Sequence, residues 1–306
     1  MKRRTVNRRG FLKRSAESAA ALATLASVAP ASGEETNMHA FICKTCGTQF
    51  AESANPPESC PICTDERQYV GWGGQQWTTL AEMQGKHHNT ISELEPGVWA
   101  IHTEPQVGIG QQAHLIRTPG GNVLWDCVSF LDEATKKQVQ ELGGVAAIAI
   151  SHPHFYTTLV EWSRAFGDAP VHLHAADKKW LMRPDKCVRS WTGGRLQLMD
   201  GLTLVNSGGH FDGFQVLHWS GGAGGKGVLF SADQPQVCMD RRWVTFLYSY
   251  PNMIPLGAAA VRRIVGDLRP FAFERVYGGF PGRVVARDGK GAVERSAERY
   301  LRAIGA

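Results

Sequence analysis

The spacing of apolar and polar positions changes along this 306-residue chain and predicts an alternation of strands and helices. Apolar residues three and four positions apart predict helices, whereas short wholly apolar or alternating runs predict strands. Strands are predicted in GVWAIHTE, AHLIRTPGGNVLWDC, VAAIAI, PVHLHA, LTLVNSGGH, QVLHWSGG and KGVLFSAD. Helices are predicted at residues 132–142, in TTLVEWSRAF, along Val261, Ile264, Val265 and Leu268, and along Val293, Ala297, Tyr300, Leu301 and Ile304. This alternation in two halves predicts a layered α/β fold.

The composition is that of an ordinary soluble protein, with 43% apolar and 20% charged residues. The formal net charge of +5 is concentrated at the N-terminus, because residues 1–31 hold seven of the 33 basic side chains and one of the 28 acidic ones. The rest of the chain carries 26 basic and 27 acidic side chains, a net charge of −1. This balance gives no electrostatic reason to expect nucleic acid or an anionic membrane as a partner.

Residues 1–31 have the pattern of a removable export leader, with a basic start, an Ala-rich middle and a small-residue exit at Ala29-Pro30-Ala31. Within them, Arg8-Arg9-Gly10-Phe11-Leu12 resembles the twin-arginine signal, whose export machinery carries proteins that have already folded. The alternative is an amphipathic or disordered basic tail. No other apolar run approaches the ~20 residues needed to span a bilayer. We therefore expect an exported, periplasmic protein without stable membrane insertion.

Four of the seven cysteines form two CxxC pairs, Cys43/Cys46 and Cys60/Cys63. Each pair can direct two thiolates at one ion, and two pairs complete a tetrahedral four-thiolate shell. The alternative is two disulfides, which an oxidising compartment would allow. The spacing resembles the rubredoxin-type knuckle and the zinc ribbon, which implies zinc or iron, and the Thr and Asp after the second pair favour zinc. The chain is thus predicted to divide into a leader at 1–31, a four-cysteine knuckle at 38–70, a linker at 71–94 and a main domain at 95–306.

The segment SHPHFYTT carries His152 and His154 just after the apolar run VAAIAI. If this segment is extended, residues two apart point to the same side, and both imidazoles can meet one metal ion. The alternative is a pair of structural histidines in the core. Two further strand ends offer partners, because His210 follows LTLVNSGG and Asp233 follows GVLFSA. Three strand ends carrying His-x-His, His and Asp in this order predict one metal site.

This order of residues resembles the metallo-β-lactamase family over about residues 95–280. In that family a His-x-His-x-Asp-His motif, a later His, a later Asp and a last His hold two metals. The resemblance implies an αββα sandwich that follows the small four-cysteine knuckle. It also implies that His152 and His154 are the first two ligands, that His210 is the third, and that Asp233 is the bridging carboxylate.

The chain departs from the family pattern at the second metal position. Tyr156 and Thr157 stand where the motif has its Asp and its next His, and RVYGGF ends without the last His. What remains is one three-histidine site with a carboxylate beside it. The resemblance therefore implies a single zinc or similar divalent ion in the main domain.

These residues support the hypothesis of a metallo-β-lactamase-superfamily hydrolase acting on a small-molecule ester, lactone or phosphoester through one metal-activated water. Asp233 is expected to be a fourth ligand or to orient and deprotonate that water. Tyr156 is expected to stabilise developing charge or to protonate a leaving group, unless it only fills space. A loop after Asp233 is a candidate wall of the substrate site, where arginine would bind a carboxylate or phosphate of the substrate. The alternative is an ordinary solvated loop. Its residues are Arg241, Arg242, Tyr248 and Tyr250.

Two alternative functions stay open on the sequence. A redox protein would pass electrons from an iron centre in the knuckle to the main-domain metal, although flavodiiron oxidoreductases, which share the main fold, carry carboxylates in their histidine motif. A non-catalytic pseudoenzyme would bind metal only, as the degenerate second metal position suggests. An iron colour in the purified protein would favour the first alternative, and unchanged biological activity after His210→Ala would favour the second.

Overall fold

The apolar runs of the sequence form two large β-sheets in the computed structural model, which describes residues 37–306. The predicted leader at 1–31, with its twin-arginine segment, lies outside the described residues. In chain order the strands are β1 (Ile42–Cys43), β2 (Trp77–Thr78), β3 (His88–Glu95), β4 (Val98–Glu104), β5 (Gln112–Thr118), β6 (Gly121–Trp125), β7 (Ala147–Ala149), β8 (Val171–His174), β9 (Val188–Trp191), β10 (Arg195–Met199), β11 (Leu202–Asn206), β12 (Gln215–Trp219), β13 (Val228–Ala232), β14 (Gln236–Val237), β15 (Val244–Thr245), β16 (Leu247–Ser249), β17 (Ile254–Pro255), β18 (Arg275–Gly278) and β19 (Val284–Val285).

The helices of the structure lie between and after the strands. They are α1 (Pro61–Thr64), α2 (Leu80–Met83), α3 (Glu133–Glu141), α4 (Leu159–Ala165), the glycine-rich turn α5 (Gly222–Gly225), α6 (Ala258–Leu268) and α7 (Gly289–Ala303). Two 3₁₀ segments are Pro153–Phe155 and Ala175–Trp180. Helix α3 begins after Asp132, whose carboxylate accepts a hydrogen bond from the Thr135 amide at 2.8 Å. Between residues 37 and 306 the structure has no helix that is long and apolar enough to span a membrane.

The first sheet has the strand order β3-β4-β5-β6-β7-β8-β9, and the second has the order β10-β11-β12-β13-β18-β19. Neighbours from β3 to β6 are antiparallel, whereas β6 to β9 run parallel. In the second sheet only β13 and β18 run parallel. Parallel neighbours bring their carboxyl ends to one edge, so the residues just beyond β6 and β7 are close in space, as are those beyond β13 and β18.

Buried apolar side chains lie in three layers, which makes the fold an αββα sandwich. One layer lies between the sheets, where Trp125 and Ala149 of the first sheet share a cluster with Leu217 and Phe230 of the second. A second layer packs α3 and α4 against the first sheet, and a third packs α6 and α7 against the second sheet. Each sheet is therefore covered on both faces, which explains the wholly apolar run at β7.

The four-cysteine knuckle belongs to the same compact unit, Asn37–Ala306, as the two sheets. Its Gln49 amide donates to the Thr157 carbonyl at 3.0 Å, and its Ala51 amide donates to the Met182 carbonyl at 3.2 Å. Arg183 of the main domain donates to the side chain of Gln49. Backbone and side-chain bonds thus hold the knuckle against the segment that contains the His-x-His motif.

The structure differs from the predicted linker at 71–94 in its second half. Residues His88–Glu95 form β3, which pairs antiparallel with β4 at the edge of the first sheet. The side chains of β3 are exposed or only half-buried, so no apolar run marks this strand in the sequence. In the first half, Trp77 packs edge-on against Phe50 of the knuckle, with ring centroids 4.9 Å apart. Part of the predicted linker is therefore a sheet edge.

Candidate metal centres

Three strand ends bring four ligand side chains together on the main domain. His152 and His154 follow β7, His210 follows β11, and Asp233 directly follows β13. The turn before His210 needs glycine, because Gly209 has φ +89° and a Cβ there would lie 2.3 Å from the Gln234 Nε2 atom. We call the four ligand residues the histidine cluster.

The distances in the histidine cluster match a single tetrahedral ion. Its four ligand atoms all lie within 4.8 Å of one another. The His210 Nε2 atom is 3.3 Å from His154 Nδ1, and Asp233 Oδ2 is 3.2 Å from His152 Nε2 and 4.0 Å from His210 Nε2. Bonds of about 2.0–2.1 Å to a tetrahedral zinc place the ligand atoms about 3.3 Å apart. Two of these three pairs meet that spacing, and the third exceeds it by less than 1 Å.

The local backbone differs from the extended segment predicted for the His-x-His motif. His152 is extended, but Pro153–Phe155 form a short 3₁₀ helix. Proline favours this start because its fixed φ suits the first position of a helical turn. A helical turn, rather than the two-residue repeat of a strand, therefore brings the two imidazoles together, with ring centroids 5.1 Å apart.

Hydrogen bonds fix which nitrogen two of the imidazoles present to a metal. The Nδ1 of His152 lies 2.9 Å from Ser151 Oγ, which in turn donates to Asp126 Oδ1 at 2.8 Å. The Nδ1 of His210 donates to the Tyr248 carbonyl at 2.7 Å. With its proton on Nδ1, each of these rings leaves the Nε2 lone pair free for a ligand bond.

An orphaned buried ligand atom shows that the residues fit a cation. In the described part of the chain His152 Nε2, which faces Asp233 Oδ2 at 3.2 Å, is buried without a hydrogen-bond partner. Burial lowers the pKa of all three imidazoles and takes that of His210 to about 3, so the rings are neutral and can act as ligands. Three neutral imidazoles and one carboxylate form a donor set that suits zinc.

Aromatic rings enclose the histidine cluster. The side chains of His152 and His210 are fully buried, and that of Asp233 is 5% exposed. Ring centroids within 6.0 Å of His152 or His210 belong to Phe155, Phe211, Phe214 and Tyr250. This apolar shell strengthens the electrostatic interactions between the ligands and an ion, and it limits access from solvent.

The four cysteines form a second candidate metal centre, here called the cysteine cluster. All four thiols are free, so the two disulfides weighed above are not present. Cys43 Sγ lies 3.5 Å from Cys63 Sγ, and Cys46 Sγ lies 3.7 Å from Cys60 Sγ. Zinc–sulfur bonds of about 2.3 Å in a tetrahedron give sulfur–sulfur distances of about 3.8 Å. The cluster therefore has the size of a four-thiolate metal site.

The turn of the first CxxC pair depends on a glycine. Gly47 has φ +84°, and a Cβ at this position would lie 2.0 Å from Ser129 Oγ of the main domain. The Gln75 side chain closes the cluster from the other side, donating to Cys43 Sγ at 3.1 Å and accepting from the Cys60 amide at 3.2 Å. Donors near a thiolate favour its charged form, which is the metal-binding form.

No protein-family model matches the chain. The uncharacterized protein YmaE of Bacillus subtilis (strain 168) is 48% identical over 266 residues, covering 86% of this chain and 96% of YmaE. The chain belongs to the same family as YmaE.

Solved structures show the same main fold at low sequence identity. DIM-1 metallo-β-lactamase is 14% identical with a TM-score of 0.53, covering 71% of this chain and 98% of that one. FIM-1 from Pseudomonas aeruginosa, in its mono-zinc form, is 14% identical with a TM-score of 0.50, covering 69% and 95%. The predicted metallo-β-lactamase-like α/β fold is thereby confirmed, together with a four-cysteine cluster near its N-terminus.

Tyr156 lies in the apolar core of the main domain. Its side chain is 2% exposed and lies in the core layer between the first sheet and α4, with Leu159 and Val160. Burial raises the pKa of its phenol well above the usual value. These core contacts agree with the space-filling alternative for Tyr156, and its catalytic role stays a prediction.

The four residues of the predicted substrate wall separate into two pairs. Arg242 is exposed and pairs with Asp240 at 2.7 Å, and Arg241 donates to the Cys238 carbonyl. Neither arginine contacts a residue of the histidine cluster in these hydrogen bonds. Tyr248 and Tyr250 both contact the histidine cluster. The Tyr248 carbonyl accepts a hydrogen bond from His210 Nδ1, and the Tyr250 hydroxyl donates to the Asp233 carbonyl.

Sequence reasoning missed three residues that support the histidine cluster. Ser151 and Asp126 hold His152, and burial raises the pKa of Asp126 to about 8 although two hydrogen bonds from Ser151 oppose this. Arg67, from the knuckle, donates to the His210 carbonyl at 3.3 Å. The position of Asp126 directly after a strand was a usable signal, since the same placement identified Asp233. Nothing in the sequence placed Arg67 near His210.

Proposed function

We propose that this protein is a metal-dependent hydrolase that uses one ion held by His152, His154, His210 and Asp233. The observation that carries the proposal is the convergence of three neutral imidazoles and one carboxylate at strand ends of a metallo-β-lactamase-like sandwich. Zinc is the proposed ion, because it takes this donor set at these spacings. A divalent ion in this place supplies Lewis acidity toward a carbonyl or phosphoryl oxygen.

The protein's own residues hold the ligands in one geometry before a metal binds. His152 is held through Ser151, and His210 is held by the Tyr248 carbonyl. Ligand rings that are already oriented lose little rotational freedom on binding the ion. The site therefore has the preorganisation that a catalytic metal site needs.

Asp233 is the residue that we assign to proton transfer. Its Oδ2 atom faces His152 and His210, whereas its Oδ1 atom is buried without a protein partner. The Tyr250 hydroxyl holds the Asp233 backbone by donating to its carbonyl. A carboxylate with one oxygen at the ligand set and the other free can accept a proton from a nucleophile bound beside it.

The proposed substrates are small esters, lactones or phosphoesters. The ligand side chains are at most 5% exposed, so a bulky substrate would need the aromatic cover to move. We further propose that the protein is exported to the periplasm through its N-terminal leader, and that the cysteine cluster holds zinc or iron. The basis for export is the twin-arginine pattern of residues 1–31.

Metal analysis of the full chain, followed by assays on a panel of esters, lactones and phosphodiesters, tests the hydrolase proposal. We expect two metal ions per chain and activity that His210→Ala abolishes. His114→Gln is the matched control, because His114 is also fully buried but lies in the core beside Phe230 and Tyr277. A zinc-loaded protein without activity across the panel would contradict a hydrolase and favour a metal-binding protein without catalysis.

A redox protein is the second candidate function. The observation that favours it is a hydrogen bond between the knuckle and the histidine cluster, since the knuckle residue Arg67 donates to the backbone carbonyl of the ligand His210. An iron ion in the cysteine cluster would give a red protein whose colour bleaches on reduction. A colourless protein with zinc in both clusters would exclude this candidate.

A further inference from the structure

The segment just after the second CxxC pair reaches from the cysteine cluster to the histidine cluster. Asp65 is two residues beyond Cys63, and the Gln68 amide donates to the Asp65 carbonyl at 3.0 Å, which closes a turn. Arg67 lies in this turn, and its side chain is only 11% exposed. This turn begins two residues after a ligand of the cysteine cluster, so a change at that cluster can reach Arg67 through the chain.

The Arg67 guanidinium is held on several sides. Its Nε and Nη2 atoms donate to the two oxygens of Asp65 at 2.6 and 2.9 Å, and its Nη1 atom donates to the His210 carbonyl at 3.3 Å. The Phe211 ring lies beneath it, with the guanidinium carbon 4.0 Å from the ring centroid. This planar fork, paired and stacked at once, is a geometry that lysine cannot reproduce.

A second connection joins the same turn to His210 through Tyr248. The Tyr248 carbonyl accepts from His210 Nδ1 at 2.7 Å, while its hydroxyl donates to Glu66 at 2.7 Å. The Asn252 side chain donates to the carbonyls of Glu66 and Gln68 at 2.9 and 3.0 Å. Both supports of His210, at its backbone and at its ring, therefore end on residues 65–68 of the knuckle.

We propose that Arg67 is a positioning residue for His210, and that through it the cysteine cluster controls metal binding at the histidine cluster. A displaced His210 backbone would move its Nε2 atom, which lies 3.3 Å from His154 Nδ1, out of the ligand set. The proposal rests on the metal site of the proposed function and not on hydrolysis. A protein that hydrolyses nothing would still allow the test below.

Titration of the metal-free full chain with Co²⁺ reports on the two clusters separately. Cobalt held by thiolates has a charge-transfer band in the near ultraviolet, whereas cobalt held by imidazole and carboxylate has only weaker visible bands. We expect Arg67→Met to weaken Co²⁺ binding at the histidine cluster by about 10- to 100-fold, the usual range for a lost partner of a ligand. The thiolate band should keep its intensity. Arg67→Lys should fall between Arg67→Met and the wild type.

Arg183→Met is the matched control for the loss of a buried arginine charge at the contact between the knuckle and the main domain. Arg183 is 7% exposed and donates to Gln49 of the knuckle and, at 2.5 Å, to Glu161. These bonds lie on the side of Thr157 rather than at His210. We expect both cobalt signatures to keep their wild-type affinities. Equal weakening by Arg183→Met and Arg67→Met would overturn the proposal, as would unchanged binding in Arg67→Met.

A double variant tests whether the coupling runs through Arg67. Cys60→Ser should remove the thiolate band and also weaken Co²⁺ binding at the histidine cluster. Adding Arg67→Met to Cys60→Ser should then weaken the histidine cluster no further, because the connection is already broken. Additive effects would contradict the proposal. If Arg67→Met alone loses the thiolate band, the substitution has disturbed the knuckle itself. The Co²⁺ affinity of Arg67→Lys at the histidine cluster then tests the proposal, and an affinity equal to that of the wild type would overturn it.

Discussion

The cysteine and histidine clusters differ in how far apart their ligands lie along the chain. The cysteine cluster draws all of its ligands from positions 43–63, whereas the histidine cluster draws its ligands from positions 152–233. In the knuckle, two short turns close the shell, and the four thiols contact one another directly. In the main domain, two sheets must form before the ligands can meet.

This difference predicts that the two clusters relate to folding in opposite ways. Besides its cysteines the knuckle buries few apolar side chains, among them Ile42, Phe50 and Ile62, so we expect it to need the ion for stability. The histidine ligands are held by hydrogen bonds to Ser151 and Tyr248 within large apolar layers. We therefore expect the fold to form the histidine site without metal, and the knuckle to depend on its ion.

The largest effect is expected from removing a thiolate. Cys43→Ser should lose the cysteine-bound metal and lower the free energy of unfolding by about 3 kcal/mol or more, because the knuckle loses the ion that orders it. Elemental analysis and urea denaturation measure both effects. Cys238→Ser, at a half-buried thiol outside both clusters, should keep both metals. Full metal content in Cys43→Ser would contradict the expectation that the knuckle, unlike the main domain, depends on its metal ion for stability.

Removal of a histidine ligand should affect metal binding more than folding. His210→Ala is expected to weaken zinc binding at the histidine cluster by about 100-fold or more, since a lost ligand costs more than a lost partner of a ligand. Competition with a chelator of known affinity measures this change. The metal-free variant should unfold close to the wild type in urea. A large loss of stability in the metal-free state would mean that this cluster also organises the fold.

Low pH should lower the free energy of unfolding through buried groups of the core as well as through the two clusters. His114 is a buried histidine outside both clusters, so it reports on the core alone. Burial lowers the pKa of His114 to about 3, whereas an unfolded histidine has a pKa of about 6.5. Below pH 6.5 the unfolded chain therefore binds a proton that the folded chain does not, and stability falls until the pH reaches about 3.

Between pH 7.5 and 4.5 the His114 contribution should amount to about 2–3 kcal/mol. Urea denaturation of the metal-free protein at the two pH values should show this loss, and His114→Gln should reduce it. Without metal present, the difference between variant and wild type belongs to the core alone. An unchanged pH dependence in His114→Gln would show that the other buried histidines account for the acid sensitivity.

The smallest effect is expected at Tyr156. Tyr156→Phe removes a hydroxyl that lies in the core layer, so zinc affinity at the histidine cluster should stay within about twofold of wild type. The free energy of unfolding should change by about 1 kcal/mol or less. Chelator competition and urea denaturation check both values. A large loss of hydrolysis with metal retained would restore a catalytic role to Tyr156.

Residues at strand ends were predictable, because an apolar run followed by His or Asp is visible in the sequence. His210 and Asp233 are both found this way, and the structure brings them within 4.0 Å of each other. Strand β3 was not predictable, since its side chains are mostly exposed and carry no apolar pattern. The backbone of the His-x-His segment was predicted wrongly for a different reason. Pro153 begins one turn of 3₁₀ helix where the sequence suggested an extended segment.

The sequence by itself determined the layered α/β fold, the cysteine cluster and the residue types of the histidine cluster, because these depend on local spacing and apolar periodicity. Tertiary structure alone decided which groups support the ligands. Arg67 lies 143 positions from His210, and Tyr248 lies 38 positions from it, so no local pattern relates them. Such contacts exist only in the folded chain, and the one from Arg67 also requires the knuckle to lie against the sandwich, since folding brings distant hydrogen-bond donors and acceptors within reach of one another.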